Sequence, residues 1–288
     1  MKKYLVLFVL FVLFVPTLVS AHQPRLVDYE INRIEVIEPE ISKAYYGMLS
    51  GYKHIFTIKS DEDFNLYVNV LIPNIKDQKK DVNALIIKDG EKDIPYAVLS
   101  SKDFEWKKFK EPFGNDNYLQ GPEFKTKAES GIYEIIVYSD NNDSKYSLAI
   151  GEIESFDLDE TINTLKLIPI IKTRIFEKNP VDFIFSPIGI IYIVIMFSLA
   201  FIFGFINRYI LKLAARRKTS TFAKRAKKNI GKSSRILRFV ISIVLFVWAI
   251  TTTWSALLLF LSGFALFETI FSWCGFHALV GVNTCEVE

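Results

Sequence analysis

The sequence predicts an all-β extracytoplasmic sandwich domain, carried on an α-helical membrane anchor of three transmembrane helices after a signal peptide. Three observations predict this architecture. Residues 25–151 contain several short apolar or alternating runs separated by Gly, Asp and Asn turns, a pattern typical of β-sandwiches. Residues 183–273 contain three apolar stretches. The block Asn207–Arg238 has twelve Lys/Arg and no Asp or Glu, and the positive-inside rule places such a block in the cytoplasm.

Charge divides the chain into two halves of opposite sign. Residues 22–182 carry 21 Lys/Arg against 29 Asp/Glu, whereas residues 183–288 carry 12 Lys/Arg against three acidic residues. The overall charge of +3 is an average over these halves, so it predicts nothing about partners. Because the basic block adjoins apolar stretches, membrane lipid is its predicted partner, and nucleic acid is not expected to bind.

Residues 1–21 have the pattern of a secretory signal peptide. Two lysines precede the apolar run Tyr4–Val15, Pro16 ends the run, and a small-residue cleavage pattern ends at Ala21. The run is shorter than the roughly 20 residues of a full span. An uncleaved anchor is the alternative. Cleavage after Ala21 would make His22 the mature N-terminus.

The predicted extracytoplasmic sandwich covers residues 22–156. Its strands are expected at 55–58, 66–70, 84–87, 96–99, 131–138 and 146–151. We expect the last two to pair as a hairpin across a polar turn, and this closing segment resembles the end of bacterial secreted sandwich modules of the pre-peptidase C-terminal type. The domain contains no cysteine, so its hydrophobic core must stabilise it without a disulfide.

The rest of the chain is predicted to form a linker and the membrane anchor. Pro169 interrupts the apolar spacing of residues 157–182, so two short juxtamembrane helices are expected, either packed on the β-domain or lying on the lipid surface. Residues 183–206 are 24 residues without a charge, which is long enough for a transmembrane helix. The remaining predicted parts are the basic cytoplasmic loop 207–234, a transmembrane helical hairpin 235–273 and a cytoplasmic tail 274–288.

Two motifs flank the predicted hairpin. Asn229–Arg238 has the pattern N-x-G-x-x-x-R-x-x-R, and Trp273–Cys285 reads W-C-G-F-H-A-L-V-G-V-N-T-C. Together they resemble the opening and closing motifs of the YgaP-like inner-membrane hairpin family. The resemblance implies a two-helix membrane anchor with a cytosolic tail. Because hairpins of that family are able to dimerise, a homodimer through this hairpin is also expected.

The sequence departs from the family pattern after the first cysteine. Gly275-Phe276-His277 stands where the family has Pro-Leu-Tyr, and no rhodanese domain precedes the hairpin. Members fused to a rhodanese carry a sulfur-accepting loop that this chain lacks. The resemblance therefore does not imply sulfur transfer here.

Two groups of residues are candidate metal ligands. The α-amino group and ring of an N-terminal His22 suit copper, with His54 as the second histidine outside the membrane. Cys274, His277 and Cys285 supply three cytosolic ligands for zinc or copper. The alternatives are an unstructured N-terminal histidine and cysteines that pack or stay free in a reducing cytosol. A copper- or thiol-handling membrane protein is thus the second functional hypothesis.

An aromatic segment supplies the candidate binding residues. Trp106, Phe109, Phe113 and Tyr118 are predicted either to present rings to a sugar or peptide or to cap the open end of the sandwich. Neither a phosphate-binding glycine loop nor a nucleophile–base motif is recognisable, so no enzymatic activity is predicted. The leading hypothesis is a multi-pass plasma (inner) membrane protein, with its C-terminus in the cytoplasm, that binds an unidentified extracytoplasmic ligand or protein.

Overall fold

The computed structural model describes residues 22–28, 30–89, 94–216, 228–280, 282 and 284. The predicted signal peptide and residues 217–227 of the basic loop lie outside these residues. The chain divides into two compact units, Met1–Ile188 and Gly189–Glu288. Each unit has a hydrophobic cluster of its own.

The first unit is a β-sandwich of two sheets, as the sequence predicts. Sheet A has the strand order β1-β3-β11-β5-β9-β8, and sheet B has the order β2-β4-β10-β6-β7. The strands are β1 (Gln23–Leu26), β2 (Arg33–Val36), β3 (Lys43–Met48), β4 (His54–Ser60), β5 (Phe64–Pro73), β6 (Asn83–Lys88), β7 (Ala97–Leu99), β8 (Lys107–Glu111), β9 (Asp116–Ala128), β10 (Gly131–Tyr138) and β11 (Lys145–Ile150).

Alternation along the strands builds the core between the two sheets. Leu66, Val68 and Val70 of β5 are completely buried there, while Tyr67 and Asn69 lie on the opposite face of sheet A because successive side chains point to opposite sides of a strand. Each fully buried aliphatic side chain contributes about 1.5–3 kcal/mol. A core built this way explains how the domain is stable without a disulfide.

The predicted hairpin between the last two strands is wrong. β10 pairs with β4 and β6 in sheet B, whereas β11 pairs with β3 and β5 in sheet A. The connection between them therefore crosses from one sheet to the other. Alternate side chains of both strands point into the core, and this requirement is met equally well in either sheet. The sequence pattern predicts the strands but not their neighbours.

The sequence pattern does not predict β1, β2, β3, β8 or β9. Strand β8 shows why. All of its residues are exposed or half-buried, and it lies at the edge of sheet A. Lysines on such an edge discourage pairing with a second chain, but they remove the alternation by which a strand is recognised.

Helix α1 (Leu158–Arg174) follows the sandwich, and a short 3-10 helix, Pro180–Phe185, comes after it. The Asp157 carboxylate caps α1 by accepting a hydrogen bond from the backbone N–H of Glu160 at 2.8 Å. The Glu160 carboxylate in turn binds the Arg25 guanidinium through two hydrogen bonds of 2.7 and 2.8 Å. The start of α1 is thereby attached to β1.

The predicted break at Pro169 is wrong, because this residue lies inside a continuous α1. A proline in a helix interior costs about 3 kcal/mol. Downstream of it, Ile171, Ile175 and Phe176 are buried against sheet A. At about 1.5–3 kcal/mol for each buried large apolar side chain, this packing outweighs the cost of the proline.

A buried ion cluster attaches α1 and the segment after it to the turn between β8 and β9. The Lys172 ammonium, with a side chain 1% exposed, donates to both Asp116 carboxylate oxygens at 2.9 Å and to the carbonyl of Gly114. Lys178 donates to the same carboxylate at 2.8 Å and to the Asn115 carbonyl at 3.1 Å. Burial lowers the pKa of Lys172, and the nearby carboxylate opposes this shift.

The second unit is helical. It contains α2 (Pro187–Arg216), α3 (Lys232–Thr251), α4 (Ala256–Phe271) and α5 (Gly275–Val280), with α2 starting two residues before the unit boundary. By length and composition, α2 over 27 residues and α3 over 20 residues are able to cross a membrane. The apolar helix α4 is shorter, at 16 residues.

Removing the Asp116 carboxylate is expected to destabilise the sandwich. Asp116→Ala leaves Lys172 buried without its counter-ion, which costs about 3–5 kcal/mol. Asp143→Ala is the control, because it breaks an exposed pair with Lys79 in which the two side chains are 51% and 49% exposed. Loss of such a surface pair is expected to leave stability nearly unchanged. Hydrogen exchange of β8 and β9 in the full chain measures the difference. Equal exchange in the two variants would contradict the role given to the cluster.

Candidate functional site

A groove lies on the outer face of sheet A, the face turned away from the core. It encloses a cavity of about 200 Å³. Its floor comes from alternate residues of five adjacent strands, β3, β11, β5, β9 and β8. The residues between them point into the core. The same alternation that builds the core therefore builds the groove.

Strand register aligns one row of residues across this floor. Ser147 is opposite Tyr46 on one side and Leu71 on the other, and Leu71 is opposite Gln120. The hydroxyl of Tyr46 is hydrogen-bonded to that of Tyr118 at 2.9 Å. Within the groove lining this row presents mainly uncharged polar groups, and its next member, Lys107 opposite Gln120, is exposed on the edge strand.

The β8–β9 end of the groove presents aromatic rings. Tyr118 is 4% exposed and packs edge-on against Phe176, with ring centroids 4.9 Å apart. Phe109 lies against Tyr118 with centroids 6.0 Å apart and is itself 41% exposed. Of these rings, Phe109 is the accessible one, and Tyr118 supports it from below.

One carboxylate faces the groove. Glu111 accepts hydrogen bonds from the backbone N–H groups of Phe113, at 2.7 Å, and Gly114. Burial raises the pKa of Glu111, and these two hydrogen bonds oppose the shift. Among the described residues that line the groove, no Lys or Arg occurs.

The structure brings together two of the four aromatic residues predicted to bind a ligand. Phe109 and Tyr118 line the groove. Trp106 instead packs against the core, where a Cβ on Gly121 would lie 2.6 Å from its ring. Phe113 lies in the turn after β8 and does not line the groove.

Sequence reasoning missed two polar residues on the other side of the groove. Tyr67 and Asn69 line it together with Tyr46. A signal for Tyr67 and Asn69 was present, because they alternate with the buried residues of β5. Their polarity within an apolar strand marks the second face of sheet A.

The two histidines of the first unit lie in different environments. His22 is exposed beside the groove, and its Nδ1 is hydrogen-bonded to the hydroxyl of Ser42. His54 is fully buried in the core, where its Nδ1 lies 2.7 Å from the hydroxyl of Tyr146. The histidines are thus on opposite sides of sheet A, and a copper site at His22 stays a prediction.

The predicted cytosolic ligands are described only in part. Cys285 lies outside the described residues. Cys274 is buried, which raises the pKa of its thiol and reduces thiol reactivity. His277 lies in α5, and its Nδ1 has no partner among the described residues. Within the described ranges, no group of three or more His, Cys, Asp or Glu is arranged to hold a metal ion.

The two motifs that flank the hairpin bind each other. The Asn229 amide donates to the carbonyl of Cys274 at 2.9 Å and accepts from its N–H at 2.8 Å. The N–H of Thr284 donates to the Asn229 carbonyl at 3.2 Å, and its hydroxyl accepts from the N–H of Gly231 at 3.1 Å. These motif residues therefore have a direct role in closing the hairpin.

Polar contacts also join the two helices of the hairpin. The Arg238 guanidinium binds the Glu268 carboxylate at 2.9 Å. The hydroxyls of Ser242 and Ser262 each donate to the other residue's carbonyl at 2.9 Å. Residues near the start of α3 thus meet residues near the end of α4, so the two helices are antiparallel.

The C-terminal segment matches a known family. Residues 226–288 match the model of the YgaP-like inner membrane protein transmembrane domain, which confirms the resemblance carried by the two motifs. This match covers the hairpin and its flanking segments, so the second unit contains a YgaP-like membrane domain. No curated protein matches the chain.

Two solved structures are similar to part of the chain. One is the pre-peptidase C-terminal domain of a collagenase from Bacillus anthracis, with 16% identity, 43% of this chain and 96% of that chain covered, and a TM-score of 0.26. Another is CorA, a surface-associated copper-binding protein of Methylomicrobium album BG8, with 8% identity, coverages of 43% and 98%, and a TM-score of 0.24. At these scores and identities, the similarities carry no argument about function.

Stability of the sandwich is expected to fall as the pH drops below 6.5. Burial lowers the pKa of His54 below its ordinary 6.5, so between the two values the unfolded chain binds a proton that the folded chain does not. His54→Gln should reduce the loss of stability between about pH 7.5 and about pH 5.5, measured by thermal unfolding. Tyr146→Phe keeps the buried imidazole, so this variant should still lose stability over the same pH range. An unchanged loss in His54→Gln would contradict this prediction.

Loss of the Asn229 amide is expected to open the hairpin end. Asn229→Ala leaves the N–H and C=O of Cys274 without these partners, at about 1–3 kcal/mol for each buried group. In a Cys285→Ser background, maleimide labelling reports on Cys274, which is 4% exposed. Labelling should be faster in Asn229→Ala and unchanged in Ser233→Ala, an exposed control position. Equal rates would show that the motif contact does not protect the thiol.

Proposed function

We propose that this protein is a non-enzymatic binding protein that displays its β-sandwich outside the plasma (inner) membrane and takes a ligand in the groove on sheet A. The groove is the observation that carries the proposal. It is built from several strands and combines one accessible ring with uncharged polar side chains and the Glu111 carboxylate. Apolar rings with a few polar groups are typical of small-ligand sites. The YgaP-like domain supports attachment to an inner membrane.

The charges at the helix ends support the proposed orientation. Arg208 and Lys212 lie in the last turns of α2, and Lys232 and Arg235 lie in the first turns of α3. The positive-inside rule places both of these ends in the cytoplasm. The start of α2, and with it the sandwich, would then lie outside.

If the chain crosses the membrane three times, α4 is the third transmembrane helix and completes the hairpin with α3. Its 16 residues span about 24 Å at 1.5 Å per residue, less than the hydrocarbon thickness of about 30 Å. The residues that flank α4 supply the remaining length, with Trp254 at the outer interface, where indoles are enriched. The C-terminal tail is then cytoplasmic.

Lipid and a second copy of the hairpin are the proposed partners within the membrane. Apolar side chains of α3 that are 41–59% exposed support this assignment, because such a face requires an apolar environment. They are Ile236, Leu237, Phe239, Val240, Ile241, Ile243, Val244, Val247 and Trp248.

Cysteine labelling in intact cells tests the orientation. In a background of Cys274→Ser and Cys285→Ser, a membrane-impermeant maleimide should label Ser50→Cys in intact cells and Lys228→Cys only after permeabilisation. Both positions are exposed, so access depends on the side of the membrane. Labelling of Lys228→Cys in intact cells, with Ser50→Cys protected, would overturn the proposed function.

A further inference from the structure

We propose that the groove on sheet A binds an uncharged sugar, one or two rings in size, stacked on Phe109 and hydrogen-bonded by Gln120. This inference rests on the proposed function and names the chemical class of the ligand. Four features of the groove carry it: its charge, its accessible ring, its unpaired amide and its size.

The charge of the groove disfavours an anionic ligand. Among the described lining residues, Glu111 is the acidic side chain and no Lys or Arg is present to pair with a phosphate, sulfate or uronate. Lys108 and Lys110 alternate with Phe109 along β8, so they lie on the other side of the strand. Lys107 lies on the same side as Phe109 and opposite Gln120, but it is exposed and does not line the groove. Among the lining residues, an anion would therefore lose hydration beside the Glu111 carboxylate without gaining a Lys or Arg counter-ion.

The accessible ring is suited to the C–H face of a sugar. An aromatic face carries partial negative charge and attracts the positively polarised edges of neighbouring groups. Phe109 is 41% exposed on an edge strand, and its contact with Tyr118 holds the ring at a defined tilt of 43°. A ring already held in place loses little conformational freedom when a ligand stacks on it.

The polar groups are suited to hydroxyls. An amide both donates and accepts hydrogen bonds, as a sugar hydroxyl does. The Asn69 amide is occupied by the carbonyls of Gly121 and Pro122 at 3.3 Å, whereas the Gln120 side chain makes no hydrogen bond to another described residue. Gln120 is therefore the amide that remains for a ligand.

The size of the cavity limits the ligand. About 200 Å³ is below the roughly 300–1,000 Å³ of sites for drug-sized molecules. One or two sugar rings fit this volume better than a folded peptide epitope.

Ligand-observed NMR on the full chain tests the inference. The protein is held in nanodiscs, because maltoside and glucoside detergents would themselves occupy a sugar site. The probes are glucose, galactose, mannose, N-acetylglucosamine and their disaccharides, with glucuronate and glucose 6-phosphate as matched anions. At least one neutral sugar should bind with a Kd of about 1 mM or tighter, and its anionic counterpart about tenfold or more weakly.

Two groove variants and a matched control locate the site. Phe109→Ala and Gln120→Ala should each weaken binding of that sugar by about tenfold, which equals about 1.4 kcal/mol. Phe156→Ala is the control, since Phe156 is 40% exposed, as Phe109 is at 41%, but lies outside the groove lining. It should bind like wild type. Because Phe109 is exposed, its truncation is expected to leave the fold intact, which the unfolding temperature verifies.

Three results would overturn the inference. The first is no saturable binding of any neutral sugar up to about 10 mM. The second is sugar binding that Phe109→Ala and Phe156→Ala change equally. The third is a peptide or anion that binds instead with the same dependence on Phe109, which would leave the groove a binding site and make the sugar class wrong. The labelling of Ser50→Cys and Lys228→Cys separately decides the proposed function.

Discussion

The carboxylate of Asp116 lies between the ammonium groups of Lys172 and Lys178, and the outer face of the sandwich depends on this contact. Glu111 lies close enough to Lys172 to raise its pKa electrostatically. The cluster therefore contains two carboxylates and two ammonium groups, whose charges compensate one another. A buried ion cluster costs desolvation and is weak evidence for stability. Its contribution here is positional: it holds α1 against the β8–β9 turn, where Phe176 packs on Tyr118, the strand partner of Phe109.

Sheet A contributes to both the core and the groove, because successive side chains along its strands point to opposite faces. Along β5, the side chains that point inward are aliphatic and bury the core, while Tyr67, Asn69 and Leu71 line the groove. Helix α1 packs on part of the same outer face and leaves the neighbouring part open. The core, the groove and the helix contact therefore constrain one another, because a shift of one residue in strand register would exchange the two faces.

The membrane hairpin follows a different rule. Lipid tails are as apolar as the side chains of the helices, so burying apolar surface does not determine how the helices pair in a membrane. Polar contacts between the helices specify the pairing instead. The bonds between Arg238 and Glu268 and between Ser242 and Ser262 satisfy polar groups within the apolar helices, and the bonds between Asn229 and Cys274 satisfy buried groups at the end of the hairpin. This explains the spacing of the two motifs, whose residues occupy the ends of the antiparallel pair.

By itself, the sequence determined the quantities that local chemistry sets: which stretches are apolar enough to cross a membrane, which strands alternate, where charge accumulates and which motifs flank the hairpin. Tertiary structure alone decided which strands are neighbours. Strands β10 and β11 adjoin in sequence but lie in different sheets, since either sheet buries their alternate side chains. The groove depends on that choice. Tyr46 is distant in sequence from Phe109 and Gln120, and only the register of sheet A brings the three to one face.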